Sequence, residues 1–328
     1  MRAAICRAYG PPEVVEVDEL SPPALGPGHV RVRVDAAAVN FPDVLLVANE
    51  YQIHVPRPFV PGSEFAGVVT ELANGVDTVA VGDRVTGTGL LGAFAEEAVV
   101  PAGAVTRIPA GIDERVAAAF GVAHRTAYHV LRSVAAVQPG EELVVLGAGG
   151  GVGLATVQLG ALLDASATAV ASSPEKLDVA ASYGAGRLIN HRSGSFREAL
   201  REALPAGADV VVDPVGGDLS EPALRSLRWG GRFVTVGYAS GVIPKIPLNL
   251  VLIKGVRILG FEFLGFATNT ADDVRRNEEE LVEHLASGRV VPHVGAVFPL
   301  DETAAALRHV ADGRAIGKVV IDVAPSRP

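Results

Sequence analysis

At 328 residues, with 49% hydrophobic and 20% charged side chains, the chain is long enough for two domains with sizeable cores and is not a disordered polypeptide. A net charge of −9 argues against nucleic acid as the main partner, and the acidity reads as a means of staying in solution. The single cysteine, Cys6, excludes an internal disulfide, a cysteine-rich structural zinc lobe and a cysteine-based catalytic zinc cluster.

No apolar run reaches the roughly 18–20 uninterrupted residues of a spanning helix. The opening stretch MRAAICRAYGPPEVVEV lacks the apolar core of a secretory signal. No membrane partner and a cytoplasmic location are therefore expected.

Residues 1–110 read as mostly β. Val30, Val32 and Val34 alternate with His29, Arg31 and Arg33, the period of a half-buried strand. Further short strands are expected at Phe65–Leu72, Arg84–Thr86 and Ala93–Val100, with Gly and Pro turns between them, which suggests a small barrel-like domain. The stretch Asn40–Gly62 reads as a long connection carrying Asn40, Asp43, Tyr51, His54 and four prolines; a loop of that length is often functional. Residues 111–139 read as helical.

From residue 141 the pattern changes to alternating strand and helix. Strands are expected at Leu143–Leu146, Thr168–Ala171, Arg187–Ile189, Asp209–Val212, Arg232–Val236 and Arg257–Phe261. This is the pattern of an α/β doubly wound parallel sheet. Past residue 263 come a charged helix at Ala271–Leu285, a helix capped by Asp301 and ending at Gly313, and a last strand at Lys318–Val323.

The first strand of that sheet runs into ELVVLGAGGGVGLATVQLGALL, five glycines within seven residues and then a helix. Such a turn lets a pyrophosphate approach the backbone closely, and the free N–H groups of the new helix hold its charge. The best register is Ala148-x-Gly150-x-x-Gly153, with Ala in the first place; Gly151 and Val152 lie between. A plain glycine-rich turn is the competing reading. The second strand ends in Ala171-Ser172-Ser173 with Lys176 beyond, where an enzyme preferring NAD usually carries Asp or Glu. Small hydroxyls and a cation suit a 2′-phosphate, so NADPH is the expected cofactor. The alternative is that Ser172 only caps a helix and Lys176 is solvated.

Ten stretches in order give the chain a family resemblance: VNFPDVL (Val39–Leu45), FVPGSEFAGVV (Phe59–Val69), VGDRV (Val81–Val85), GAFAEEAVVP (Gly92–Pro101), RTAYHVL (Arg125–Leu131), LGAGGGVGLATVQL (Leu146–Leu159), SSPEKL (Ser172–Leu177), DVVVDPVGG (Asp209–Gly217), GGRFVTVGYASG (Gly230–Gly241) and IPLNLVLIKG (Ile246–Gly255). The chain resembles the zinc-independent medium-chain dehydrogenase/reductases of the quinone oxidoreductase (zeta-crystallin-like) group. The resemblance implies a GroES-like β-rich domain from residues 1–121 and 262–328, with a Rossmann domain, 122–261, inserted. It implies an NADPH-dependent reductase acting on a small-molecule quinone or α,β-unsaturated carbonyl. Two alternatives stay open: an enoyl-thioester reductase of the same fold, and a nucleotide-binding structural or regulatory protein of low turnover.

The resemblance also implies roles for residues. Thr126, Val215, Gly237 and Tyr238 match positions near the nicotinamide and the diphosphate-ribose, Phe261 and Phe263 positions near the nicotinamide, and His191 and Arg192 the adenine side. Asn40 and Tyr51 match positions lining the substrate cleft, where a hydrogen-bond donor would stabilise the oxyanion and Tyr51 could donate a proton. Zinc-dependent relatives carry a His-Glu pair where this chain has Ser63-Glu64, so no metal is expected and Glu64 reads as a structural carboxylate. His54 reads as a surface residue, and His124 and His129 as packing. The strand Arg257–Phe261 should be a sheet edge, which relatives pair across a two-fold axis; a homodimer is expected.

Overall fold

The computed structural model describes residues 1–323. The chain divides into two compact units: Met1–Val122 with the segment from Val291 onward, and Ala123–Val290.

The first unit opens with an antiparallel hairpin, β1 (Arg2–Cys6) and β2 (Val15–Glu19). Then come β3 (His29–Val39), α1 (Phe41–Ala48), β4 (Glu64–Leu72), β5 (Arg84–Thr88), β6 (Glu97–Pro101) and β7 (Val105–Arg107). On β3, Val30, Val32 and Val34 are fully buried, and the intervening Arg31 reaches across to Glu71 on β4 and Glu97 on β6. The expected alternation is thus a real two-faced strand. The expected strand at Ala93–Val100 is shorter: only Glu97–Pro101 is regular, and Ala95 is held by a single bridge to Ala3.

A larger departure lies in the expected long connection 40–62. Residues Phe41–Ala48 form a helix, with Asn40 at its N-cap and a proline in its first turn. The carboxylate of Asp43 accepts from the Asn40 N–H at 2.7 Å, half of a capping box, and Val44, Leu46 and Val47 face the core.

Helix α2 (Glu114–His129) leads out of the first unit and continues as a π turn over Val130–Val134. The second unit follows: β8 (Glu142–Leu146), α3 (Gly151–Leu162), β9 (Ser166–Ala171), α4 (Pro174–Ser182), β10 (Arg187–Asn190), α5 (Phe196–Ala203), β11 (Ala208–Asp213), α6 (Ser220–Ser226), β12 (Leu227–Thr235), α7 (Leu248–Lys254), β13 (Arg257–Gly260), α8 (Phe263–Asn269) and α9 (Ala271–Ala286). Six strands pair in the order β10-β9-β8-β11-β12-β13, all parallel. This is the Rossmann order 3-2-1-4-5-6, and β13 is the edge. The central strands read as continuous apolar runs because both faces are covered: Leu143–Leu146 and Val210–Val212 are wholly buried.

The segment 262–290 was expected to go with the GroES-like domain; it packs instead with the second unit, and residues 324–328 lie outside the described residues. Its charges explain the placement. Glu278 pairs with Arg125 at 2.5 Å, Glu280 accepts from Tyr128 at 2.6 Å, and the fully buried Asn277 bonds His129 and Ser133. All of these partners stand on α2 or its π extension.

The chain then returns to the first unit with β14 (Val294–Pro299), α10 (Thr303–Ala311) and β15 (Lys318–Asp322). β15 lies between β14 and β3 and completes a sheet of order β14-β15-β3-β4-β5-β7, with β6 also on β3. Asp301 does not cap α10; it sits in a 3-10 turn and pairs with Arg2. Among the described residues no helix is long and apolar enough to cross a membrane.

Candidate functional site

In an open parallel sheet, ligands bind beyond the carboxyl ends of the strands where the strand order reverses, here at β8 and β11. The glycine turn stands there. Gly150 is the N-cap of α3, and the first bond of the helix proper runs from Leu154 N to Gly150 O. The N–H groups of Gly151, Val152 and Gly153 therefore stand in the first turn, before that ladder begins, and the helix dipole adds positive character. Two glycines are required by contact. A Cβ on Gly153 would lie 2.1 Å from the Gly147 carbonyl oxygen, and one on Gly149 would lie 2.6 Å from Lys176 Cβ. Ala148 is held by its N–H on Val170 O of β9. The turn is a cradle that side chains would fill, the shape a diphosphate needs.

Beyond β9, the cap of α4 is Ser173, whose Oγ accepts from Lys176 N. Ser172 is half-buried beside it and is not the cap. Lys176 is half-buried against the glycine turn. Burial pulls its pKa down first and Arg192 second; His191 is pulled down by burial, then by Arg192 and Lys176. Lys176 and Arg192 thus act on each other with the same sign at the end of β9 and disfavour a charge on His191, and an anion there would relieve both effects. His191 N bonds Ala171 O and Arg192 N bonds Asn190 Oδ1, which fixes the loop that presents them.

The loops after β11 and β12 close on each other. Buried Asp213 accepts from Val215 N and Gly216 N at 2.8 Å each, and from Ser220 Oγ at 2.5 Å. The turn after Gly237 docks on it through Ala239 N to Pro214 O and Ser240 N to Val215 O, and the Tyr238 ring lies over Gly216. Thr126 is half-buried on α2. Phe261 and Phe263 pack with Phe266 around buried His129, at centroid distances of 6.2, 5.8 and 5.0 Å. Arg125 lies over the Phe263 ring at 4.6 Å.

The first unit holds the other expected group. Asn40 is buried, and its side chain is engaged at both ends: Oδ1 accepts from Lys318 Nζ at 2.6 Å, and Nδ2 donates to Glu64 Oε1 at 2.8 Å and Ser63 Oγ at 3.1 Å. Lys318 Nζ also donates to Glu64 Oε1 at 2.6 Å. Glu64 Oε2 takes the Val122 N–H at 2.7 Å. Asp43 lies alongside, fully buried. Burial pushes its carboxyl up to about 7, against the opposing pull of the Asn40 N–H, Lys318 and Ser63. Ser63 bears on it without completing a hydrogen bond to Oδ1. Tyr51 follows α1, half-buried against the core of the same unit.

The structure therefore gathers Ala148, Gly150–Gly153, Ser172, Ser173, Lys176, His191 and Arg192 at one end of β8 and β9. Val215, Gly237 and Tyr238 gather at the same end of β11 and β12, and Phe261 and Phe263 around α2. Asn40 and Tyr51 belong to the first unit. Lys318 and Asp213 are residues the sequence reading did not single out. Lys318 gave one available signal: an isolated lysine inside an apolar strand of a chain with only four lysines.

Two family models match the chain. An alcohol dehydrogenase GroES-like domain matches residues 26–110, and a zinc-binding dehydrogenase domain matches 183–321. Quinone oxidoreductase-like protein 2 of Bos taurus is 37% identical over 324 residues, 98% of this chain and 92% of its own. Among solved structures, the Escherichia coli quinone oxidoreductase complexed with NADPH superposes with a TM-score of 0.90 at 26% identity, covering 98% of this chain and all of that one. The quinone oxidoreductase of Thermus thermophilus, also solved in complex with NADPH, gives 0.85 at 31% identity with the same coverage. With its GroES-like and Rossmann folds, the chain belongs to the medium-chain dehydrogenase/reductases, a family of oxidoreductases, in their quinone oxidoreductase group.

Proposed function

We propose that this protein is an NADPH-dependent, metal-free reductase that passes hydride to a quinone or an α,β-unsaturated carbonyl. The observation that carries the reading is the pair of cations Lys176 and Arg192, with His191 beside them, at the end of β9, where a carboxylate would repel a 2′-phosphate. Both quinone oxidoreductases named above were solved with NADPH, which supports the same choice. NADPH, when bound, supplies the hydride. The N–H groups of Gly151, Val152 and Gly153 hold the diphosphate, and Lys176 with Arg192 reads the 2′-phosphate. Val215, Gly237 and Tyr238 form the wall for the ribose and nicotinamide, with Thr126, Phe261 and Phe263. In the first unit, Tyr51 and Asn40 are the candidates on the substrate side, the Tyr51 hydroxyl donating to the oxygen that gains charge.

The metal-free part of the reading rests on charge. Glu64, the one member retained of the pair that zinc-dependent relatives carry, is already neutralised by Lys318 at 2.6 Å. A divalent ion there would face an ammonium. We also infer a homodimer. β13 is an unpaired sheet edge with Ile258 exposed, and near it in sequence stand the exposed Trp229, Leu248, Leu252 and Ile253.

The test is NADPH consumption against a panel of quinones, enones and enoyl thioesters. Turnover with a quinone or enone is expected. Tyr51→Phe should lower kcat about tenfold, roughly 1.4 kcal/mol, more for an enone than for a quinone. Preference for the thioester would replace the substrate class. NADPH binding without turnover across the panel would refute the enzyme. Stoichiometric zinc with activity lost to a chelator would refute the metal-free site, and a monomeric mass by light scattering the dimer.

A further inference from the structure

Lys318 stands on β15 with 3% of its surface exposed, and its ammonium ends among Glu64, Asn40 and the Val39 carbonyl. An ammonium has three donors and no acceptor. The atom of Asn40 that faces it must therefore be the oxygen, and the amide NH2 must turn the other way, toward Glu64 and Ser63. Among Asn40, Asp43, Ser63, Glu64 and Lys318, only Ser63 is not buried. The reachable edge of the cluster is thus the Ser63 edge, and the donor end of Asn40 is turned to it. Without the cation the two ends of the amide are nearly equal in shape, and the carbonyl end could turn to the Ser63 hydroxyl instead.

We propose that Lys318 is a positioning residue: it fixes Asn40 with its N–H end toward Ser63, so that the Ser63 oxygen accepts from Asn40 and its own hydroxyl hydrogen is left for a ligand that brings a carbonyl oxygen. The inference rests on the reading that Asn40 lies on the substrate side of the first unit. It gives Lys318, 278 residues away in sequence, a role in the choice of acceptor. Glu64 holds the ammonium in place and is satisfied on its other oxygen by Val122 N.

The test compares four variants of the full chain: Asn40→Ala, Asn40→Asp, the pair Lys318→Met/Glu64→Gln, and the pair combined with Asn40→Ala. The pair removes both charges together, so no buried carboxylate is left uncompensated. Steady-state kcat, KM for acceptor and for NADPH, and the thermal midpoint are read on each. Asn40→Ala should lower kcat about tenfold, and the pair about fivefold to tenfold, with KM for NADPH unchanged. The triple variant should be no slower than Asn40→Ala alone, although its thermal midpoint falls further. A purely structural Lys318 would instead add its own loss. Asn40→Asp keeps the contact with Lys318 but has no donor end; it sets a carboxylate oxygen against Glu64 Oε1, so its thermal midpoint should fall, and below that midpoint it should lose as much kcat as Asn40→Ala, standing in if the pair does not fold. Retained kcat in Asn40→Asp, wild-type kcat in the pair, or multiplied losses in the triple would each overturn the positioning role. Unchanged kcat in Asn40→Ala would overturn the placement of Asn40 and the proposal with it.

Discussion

The cluster around Lys318 in the first unit and the patch around Lys176 in the second both bring ionisable side chains together, and they settle the charge in opposite ways. In the first, an ammonium and a carboxylate are buried at 3% and 0% exposure, and the neighbouring amide and backbone N–H complete their hydrogen bonds. In the second, the charges acting on one another share a sign, and the adjoining turn presents first-turn N–H groups. A cluster that satisfies itself shapes the fold around it. A cluster that repels itself has stability to gain from a ligand, and that difference separates scaffold from binding site more sharply than the residue types do.

The comparison breaks most visibly at Lys318. Lys318→Met alone leaves Glu64 buried and unmatched, and urea denaturation should show a loss of about 3–5 kcal/mol. Adding Glu64→Gln should restore most of it; an equal loss in both would mean the charges do not hold the cluster. Gly153→Ala comes next. Its Cβ would meet a backbone oxygen at 2.1 Å, so about 3 kcal/mol of strain is expected. Calorimetric titration should then show NADPH affinity reduced by about a hundredfold. Lys176→Ala should cost about 1.5–3 kcal/mol toward NADPH and little toward NADH. Equal changes in the two KM values would show that the patch does not read the phosphate.

A pH-graded effect sharpens the first region. Asp43 is raised in the folded state to about 7, while in an unfolded chain its value is about 3.9. Below about pH 4 it is protonated in both states. Between about 4 and 7 only the folded state keeps the proton, so stability falls as pH rises, by up to about 1.4 kcal/mol per unit. Above that range this group adds no further slope. Asp43→Asn should flatten the window, measured as urea midpoint against pH; an unchanged slope would assign it to other groups.

Much of the second unit was legible because its signals are local. The glycine turn, the Ser173 cap, the missing acidic residue after β9 and the edge strand at 257 are each readable within a few neighbours. Helix α1 was also local, yet four prolines in 40–62 masked it. The telling pattern was Asn40 with Pro42 and Asp43, an N-cap, a first-turn proline and the third helical residue. Two features were not local at all. The pairing of α9 with α2 joins residues about 150 apart, and the partner of Asn40 comes from β15. Charge patterns on one helix do not name the helix they match, which is why 262–290 fell on the wrong side. Glu64 was read correctly as structural, but the cation that makes it so is 254 residues away.

The discontinuity of the first unit has a consequence during synthesis. Chains emerge at about 5–20 residues per second and fold domain by domain. The second unit, Ala123–Val290, has all its strands before the first unit does, although it starts later. One edge of β3 must wait for β15, and until then Glu64 faces Asn40 and Val122 without its ammonium. The N-terminal unit of this protein therefore cannot be finished until the second unit has been made, and the lysine that closes it is translated after every strand of that unit.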